Sequence, residues 1–127
     1  AIYMGDILID TYDKQEDISV YVDKLKKFSL ESLGKTEHFY YSLAEKNTDL
    51  EFIKKVFSEF SRISLIQKRK HKNGKISFDF YYKLDDGSYV LYAVSLEECN
   101  LLNAFHVRRN FEHFKKRLKK AYGKRLI

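Results

Sequence analysis

Hydrophobic residues recur every three or four positions through the first half of the chain, which is the period of an amphipathic helix. The pattern predicts a first helix that stops near Gly34, a second that opens at Thr36, and a third that opens at the capping box Thr48–Glu51. A short apolar run over residues 7–12 predicts an amino-terminal strand. The buried positions expected of the helices are Ile18, Tyr21, Val22, Leu25 and Phe28, then Phe39, Tyr40 and Leu43, then Leu50, Ile53, Val56, Phe57 and Phe60.

The second half of the chain begins with strand-like alternation. Residues 63–70 are predicted to form the first strand of this half. The dipeptide Asn73-Gly74 tolerates the positive φ angles of a type I′ hairpin turn. The second arm of this hairpin alternates apolar and polar residues over 76–84. After a turn at 85–88, residues 89–94 are apolar on both faces, as expected of a strand inside a sheet.

Ser95 and Glu98 match a further capping box and predict a long final helix that ends at Gly123. The chain is therefore predicted to be an α+β protein with amino-terminal helices, a three-stranded antiparallel meander and a long, basic carboxy-terminal helix, in one domain over residues 1–127. The expected core stripe of the last helix is Ala104, Val107, Phe111, Phe114, Leu118 and Tyr122, and its expected solvent-side ridge is His106, Arg109, His113, Lys116 and Lys120.

The composition is typical of a folded domain without a cofactor. A chain of 127 residues can bury a core unaided, and its single cysteine, Cys99, has no partner for an internal disulfide. The sequence contains no glycine-rich phosphate loop, nucleophile elbow or metal-ligand spacing, so we expect no cofactor and no metal. It contains no apolar run of membrane-spanning length, and its first ten residues lack the layout of a signal peptide, so we expect a soluble cytoplasmic protein.

Positive charge is concentrated in two segments. Residues 62–75 contain six lysines and arginines and no acidic residue, and residues 108–127 contain nine against a single glutamate. The rest of the chain holds 17 of the 18 acidic residues, although the net charge of the whole is only +6. A field of one sign repels itself unless a partner uses it, so this distribution favours a polyanionic partner.

We therefore interpret the chain as a non-enzymatic nucleic-acid-binding module in which the hairpin tip and the last helix contact phosphates. RNA is favoured over DNA because tyrosines on an exposed sheet face suit the stacking of unpaired bases. The acidic remainder offers a docking face for a protein partner. The predicted contact residues are Lys68, Arg69, Lys70, His71, Lys72, Lys75, Tyr81, Arg109, His113, Lys116 and Lys120.

Three other functions stay open. A small metal-independent ribonuclease would use His106, Arg109 and His113 around a phosphodiester, and this alternative resembles toxin ribonucleases of the RelE and barnase type, which place helices before an antiparallel sheet. Three helices followed by a hairpin also resemble a winged helix, in which the hairpin would be the wing against duplex DNA. An adaptor or inhibitor that binds only protein would use the acidic surface instead.

The order of elements from Thr48 onward, a helix, three antiparallel strands and a helix, resembles two RNA-binding architectures. These are the double-stranded-RNA-binding domain and the small Alu-domain proteins of the eukaryotic signal recognition particle. The basic stretch Lys68–Lys75 is similar to the positively charged first hairpin of the signal-recognition proteins. The resemblance implies that this hairpin contacts RNA phosphates.

Overall fold

The computed structural model describes residues 6–46 and 48–122 of the chain. Over these residues the fold is α+β, with four α-helices and one six-stranded mixed sheet. The predicted fold class is confirmed, whereas the predicted number of strands is too small. None of the helices in this part of the chain is long and apolar enough to cross a membrane.

The helices and strands interleave along the chain. The helices are α1 (Gln15–Leu25), α2 (Glu37–Glu45), α3 (Leu50–Phe57) and α4 (Phe111–Tyr122). The strands are β1 (Ile7–Tyr12), β2 (Gly34–Lys35), β3 (Ile63–Lys70), β4 (Ile76–Lys83), β5 (Tyr89–Ser95) and β6 (Asn100–Val107), and a 3₁₀ turn at Phe60–Arg62 leads into β3.

The sheet is built on a four-stranded antiparallel meander, β3 to β6. On one side β1 pairs with β3 in antiparallel orientation, and on the other side the two-residue β2 pairs with β6 in parallel. The strand order is therefore β1-β3-β4-β5-β6-β2. Both arms of the β3–β4 hairpin lie inside the sheet, with a paired neighbour on each side.

Helices α1, α2 and α3 cover one face of the sheet, which we call the helical face. Two buried hydroxyls fix α3 there, because Tyr82 donates to the carbonyl of Phe57 at 2.8 Å and Tyr92 donates to that of Ile53 at 2.5 Å. Each large apolar side chain buried in this layer contributes about 1.5 to 3 kcal/mol. The main core includes Ile18, Leu25, Phe39, Leu43, Ile53 and Phe57 from the helices and Ile66, Phe80, Tyr82, Tyr92 and Ala104 from the sheet.

Strand β6 occupies residues for which a helix was predicted. The expected capping bond does form, since Ser95 Oγ accepts from the backbone N–H of Glu98 at 3.2 Å, but it closes a turn and the chain reverses. The reversal lets β6 pair along the whole length of β5. Pairing places Leu101 and Ala104 in the main core and Phe105 on the opposite face. Residues 100–107 therefore form a strand because they pair with β5, although their apolar residues are spaced as in a helix.

The β3–β4 hairpin forms at the predicted dipeptide but with a different turn. The N–H of His71 donates to the carbonyl of Lys75 at 2.8 Å, which leaves a three-residue loop, and the N–H of Gly74 donates to the carbonyl of His71 at 2.9 Å. Within this loop only Gly74 has a positive φ, of 86°. The turn is therefore a type I turn followed by a left-handed glycine, and Asn73 instead accepts from the N–H of Lys75 through Oδ1 at 3.0 Å.

The starts of α2 and α3 were predicted to within two residues, whereas the last helix begins at Phe111 and not at the predicted Ser95. Thr36 caps α2 as expected, because its hydroxyl accepts from the N–H of Phe39 at 3.1 Å. The cap of α3 is Asp49, which accepts from the N–H of Glu51 at 3.0 Å, and not the predicted Thr48. Tyr40 was expected in the core and is exposed.

Candidate nucleic-acid interface

The start of α4 is fixed to the sheet. Asn110 caps the helix, because its Oδ1 accepts from the backbone N–H of His113 at 3.1 Å. The N–H of Phe111 donates to the carbonyl of Gly87 at 2.7 Å. Gly87 has a φ of 88°, a conformation that favours glycine, so the β4–β5 turn is shaped to receive the helix.

The apolar side of α4 packs on the sheet face opposite α1–α3, which we call the α4 face. Phe114 stacks on both Tyr81 and Tyr89, with ring centroids 5.2 Å apart in each pair. Phe111 is buried in the same aromatic cluster, and Leu118 packs against it. Contacts of this kind orient α4 so that its polar side is turned outward.

The outward side of α4 and the residues just before it carry a cluster of cations, which we call the α4 basic surface. His113, Lys116 and Lys120 are exposed and share one side of the helix. Burial raises the pKa of the Tyr89 hydroxyl, and the charges of Arg109 and Arg117 act against that rise, which places both guanidinium groups near it. The surface consists of Arg109, His113, Lys116, Arg117, Lys119 and Lys120, all of them exposed, whereas Arg108 lines a pocket with His106 and Phe52 on the helical face.

Two ion pairs of α4 lie beside this surface and leave its members free. Glu112 Oε2 lies 2.7 Å from Lys83 Nζ, and Lys115 Nζ lies 3.7 Å from Asp13 Oδ2. The hydrogen bond from Lys83 lowers the pKa of Glu112, so this carboxylate is ionised and engaged. Among the described residues, no ion pair joins a member of the α4 basic surface to an acidic side chain.

The hairpin behaves differently, because acids of the chain itself bind two of its cations, Arg69 and Lys75. Arg69 Nε donates to Asp79 Oδ2 at 2.7 Å, and Asp79 is buried on β4. Burial raises the pKa of Asp79, and Arg69 acts against that rise, so the guanidinium helps to keep the carboxylate ionised. Lys75 forms an ion pair with Glu98, and this hydrogen bond raises the pKa of Lys75.

The other hairpin lysines do not join the α4 basic surface. Lys68 alternates with Arg69 and lies opposite the core residue Phe78, so Lys68 and Lys70 lie on the helical face, across the sheet from α4. Lys72 lies at the hairpin tip, and the eight residues of β4 separate this tip from the turn where α4 begins. A strand of that length spans about 26 Å. The two basic segments therefore lie apart.

Tyr81 was predicted to present its ring on an exposed sheet face and is instead 4% exposed. It lies beneath α4, against Phe111 and Phe114, and its hydroxyl donates to Gln67 Oε1 at 2.8 Å. The alternation of β4 identified the correct face of the strand. It did not show that a helix covers this face, so the predicted role of Tyr81 in base stacking is corrected.

The residues expected for a ribonuclease do not come together. His106 lies on β6 at the helical face, with its ring 5.2 Å from that of Phe52 and its Nε2 2.9 Å from Ser88 Oγ. His113 lies on α4, on the other side of the sheet. An acid and a base on opposite faces cannot act on one phosphodiester group, so the predicted centre is not assembled.

The structure also differs from the architectures that the predicted order of elements resembled. Strand β6 stands between the third strand of the meander and the last helix, and α3 and α4 lie on opposite faces of the sheet. The order therefore differs from a helix, three strands and a helix. The β3–β4 hairpin cannot project as a wing, because both of its arms are paired on both sides.

Sequence reasoning missed one group of polar residues on the α4 face. His71 Nδ1 lies 3.0 Å from Asp6 Oδ1, and His71 Nε2 lies 2.6 Å from Ser77 Oγ. Asp6 is 65 positions from His71 in the chain, and only the pairing of β1 with β3 brings it close. No spacing within the sequence signals this contact, and it places the predicted phosphate ligand His71 in an internal hydrogen-bonded group.

No protein-family model, curated protein or solved structure matches this chain. The functional argument therefore rests on the geometry and charge of the residues described above.

Proposed function

We propose that the chain binds nucleic acid through phosphate contacts made by the α4 basic surface. The observation that carries this proposal is a group of five exposed lysines and arginines that have no ion pair with any described acid. Cations clustered in this way favour a phosphate backbone, because each neutralised phosphate releases a condensed counterion. The five residues are Arg109, Lys116, Arg117, Lys119 and Lys120.

The dimensions of α4 suit this partner. The helix has 12 residues, and so is about 18 Å long. A duplex carries one phosphate charge per about 1.7 Å of its axis, so about ten phosphates lie alongside a helix of this length. The phosphates along this length outnumber the five cations. With one phosphate neutralised by each cation, we expect the logarithm of the binding constant for a duplex to fall with that of salt concentration with a slope of about −4.5.

The proposed contacts are to the phosphate backbone of the nucleic acid, so they do not distinguish RNA from DNA. The preference for RNA relied on exposed sheet tyrosines, but Tyr81, Tyr82, Tyr89 and Tyr92 are all buried. Contacts to phosphates alone carry little sequence information. We therefore expect similar binding to single-stranded RNA and to duplex DNA at equal ionic strength.

Fluorescence anisotropy with a labelled 20-nucleotide RNA and a DNA duplex, measured over a series of salt concentrations, tests this proposal. The double variant Lys116→Glu/Lys120→Glu should bind more weakly and show a salt slope reduced by about two. The matched control Lys27→Glu/Lys55→Glu makes the same change in net charge at exposed positions on and beside the helices of the other face. A flat salt response, or equal losses in the two variants, would contradict the proposal.

A further inference from the structure

Helix α4 covers only part of its face of the sheet, and a cavity of about 330 Å³ lies on the same face. Strands β3 and β4, with the loop between them, supply a polar wall that includes Arg69, His71 and Ser77. Strands β5 and β6 supply an apolar wall that includes Leu91 and Phe105. A concave site of this size, apolar on one side and with a few convergent polar groups on the other, is typical of a small-molecule site.

The polar wall contains a serine, a histidine and an aspartate in one hydrogen-bonded chain. Ser77 Oγ lies 2.6 Å from His71 Nε2, and His71 Nδ1 lies 3.0 Å from Asp6 Oδ1. An ionised carboxylate can only accept, so Asp6 requires the proton on Nδ1. Nε2 is then the basic nitrogen, and the Ser77 hydroxyl donates to it.

These are the roles of a nucleophile, a general base and the group that orients the base. The serine hydroxyl is held against the nitrogen that can remove its proton. The aspartate fixes the tautomer of the imidazole and stabilises the imidazolium that would form. Such a site is recognised by this geometry and not by the order of its residues in the chain.

The fold holds the three residues on neighbouring segments. His71 follows β3, where its N–H donates to the carbonyl of Lys75 across the hairpin loop. Ser77 is the second residue of β4 and pairs with Arg69 of β3. Asp6 directly precedes β1, whose first residue pairs with Lys70. The positions therefore depend on backbone ladders and not on flexible loops alone.

Arg69 adds a positive charge beside the serine. Because Arg69 and Ser77 are directly paired across β3 and β4, their side chains start on the same face, about 5 Å apart. The Arg69 guanidinium is partly buried and is held by Asp79 through Nε and by Gln67 through Nη2. A fixed cation at this place would stabilise negative charge that develops on a substrate oxygen at Ser77.

We propose that Ser77, His71 and Asp6 form a nucleophilic site that hydrolyses short-chain carboxylic esters bound in the sheet-face cavity. Ser77 Oγ attacks the ester carbonyl carbon while its proton passes to His71 Nε2, and the carbonyl oxygen becomes an oxyanion near Arg69. The carbon–oxygen bond to the leaving alcohol then breaks, and His71 returns the proton to that alcohol. Water attacks the acyl-serine by the same route, which releases the carboxylic acid and restores Ser77.

The cavity walls limit the substrate. Leu91 and Phe105 provide the surface for an acyl chain, and a volume of about 330 Å³ holds a short chain only. Ser77 is 2% exposed, so a substrate must enter the cavity to reach it. The polar wall contains carboxylates as well as cations, so we expect an uncharged ester to be preferred.

A second serine–histidine pair in the same protein provides a matched control. Ser88 Oγ lies 2.9 Å from His106 Nε2, and Ser88 is buried to a similar degree. There the carboxylate of Asp86 accepts from the serine at 2.5 Å and does not orient the histidine. Ser88 is therefore not activated in the same way, and a probe for nucleophilic serines should discriminate between the two.

Treatment of the full chain with a fluorophosphonate probe, followed by peptide mass spectrometry, tests the proposal. We expect phosphonylation at Ser77, lost in Ser77→Ala and His71→Gln and kept in Ser88→Ala. Hydrolysis of p-nitrophenyl acetate should fall about 100-fold or more in the first two variants, and Asp6→Asn should lower it while leaving Ser77 in place. Acetate and butyrate esters should be cleaved faster than the decanoate.

Identification of the labelled residue in the unaltered chain tests the proposal even if a variant does not fold. A labelled residue other than Ser77, or no label on the native chain, would overturn the proposal. Variants of Asp6 and His71 that lower only the melting temperature, with no label on the native chain, would show that the hydrogen-bonded group has a structural role alone. Circular dichroism of each variant separates a lost nucleophile from a lost fold.

Discussion

The two basic segments of this chain are alike in sequence and opposite in structure. In the β3–β4 hairpin, Arg69 is held by the buried carboxylate of Asp79, and Lys75 is held by Glu98. In the α4 basic surface, the cations extend into solvent, and no ion pair joins them to a described acid. A run of lysines and arginines therefore does not by itself show where charge is available to a partner.

The difference has a simple physical origin. In the hairpin, alternation turns every second side chain toward a buried layer, and desolvation there demands a partner for a charge such as that of Arg69. An amphipathic helix on the outside of the sheet buries only its apolar stripe and leaves the rest in water. Ion pairs within the chain therefore engage part of the positive charge of the hairpin, where Lys70 and Lys72 stay exposed, and none of that of the α4 basic surface among the described residues.

The largest effect is expected where α4 is attached. Phe111 is 1% exposed and packs against Tyr81 and Tyr89, so Phe111→Ala should lower the free energy of unfolding by about 3 to 5 kcal/mol. Tyr41→Ala, at an aromatic residue that is 64% exposed, should change it by less than about 0.5 kcal/mol. Urea denaturation measures both. Equal values would mean that α4 is not anchored by its aromatic contacts.

The next prediction compares the stability contributed by one ion pair in the β3–β4 hairpin with that contributed by one ion pair of α4. Asp79→Asn removes the partner of Arg69 from a site where the two side chains are 10% and 27% exposed, and should cost about 3 kcal/mol. Glu112→Gln removes the partner of Lys83 at a site where both are far more exposed, and should cost less than about 1 kcal/mol. Chemical denaturation at pH 7 measures this difference. A small loss for Asp79→Asn would show that the hairpin charges are less internal than the contacts indicate.

Much of the fold follows from patterns that are local in the sequence. Thr36 capped α2 as expected, and the glycine of Asn73-Gly74 placed the hairpin even though the turn type differed. Alternation over β4 assigned Tyr81 to the correct face. These features depend on residues a few positions apart, so the sequence alone was sufficient to predict them.

The features that sequence did not reveal depend on distant partners. Residues 100–107 have apolar spacing compatible with a helix, and only pairing with β5 makes them a strand. That one change moved His106 to the helical face and placed Arg109 in the connection before α4. The contact of His71 with Asp6 likewise depends on the pairing of β1 with β3. Non-local pairing leaves no fixed spacing in a sequence.

A moderate effect should separate the two segments in nucleic-acid binding. Lys116→Glu/Lys120→Glu on α4 should weaken binding by about 2 kcal/mol, or roughly 30-fold, because two phosphate contacts are replaced by repulsion. Lys70→Glu/Lys72→Glu in the hairpin makes the same change in charge away from α4 and should weaken binding less than about threefold. Anisotropy titrations at one salt concentration measure both. Equal losses would mean that the hairpin takes part in the same contact.

The smallest effect concerns the pH dependence of stability at His106 and Arg108, which lie together on the helical face just before α4. Burial lowers the pKa of His106 below 6.5, the charge of Arg108 lowers it further, and Asp86 acts in the opposite direction. A lowered pKa in the folded state means that the stabilising contribution of neutral His106 is complete above pH 6.5. It is lost as the pH falls through the folded pKa, because the unfolded chain then binds the proton more readily.

His106→Gln should therefore flatten the decline in unfolding free energy between pH 7.5 and pH 5, and Arg108→Gln should reduce that decline more weakly. Urea titrations at the two pH values measure these slopes. A slope unaltered by Arg108→Gln would show that the charge of Arg108 does not act on His106, and that burial alone lowers its pKa.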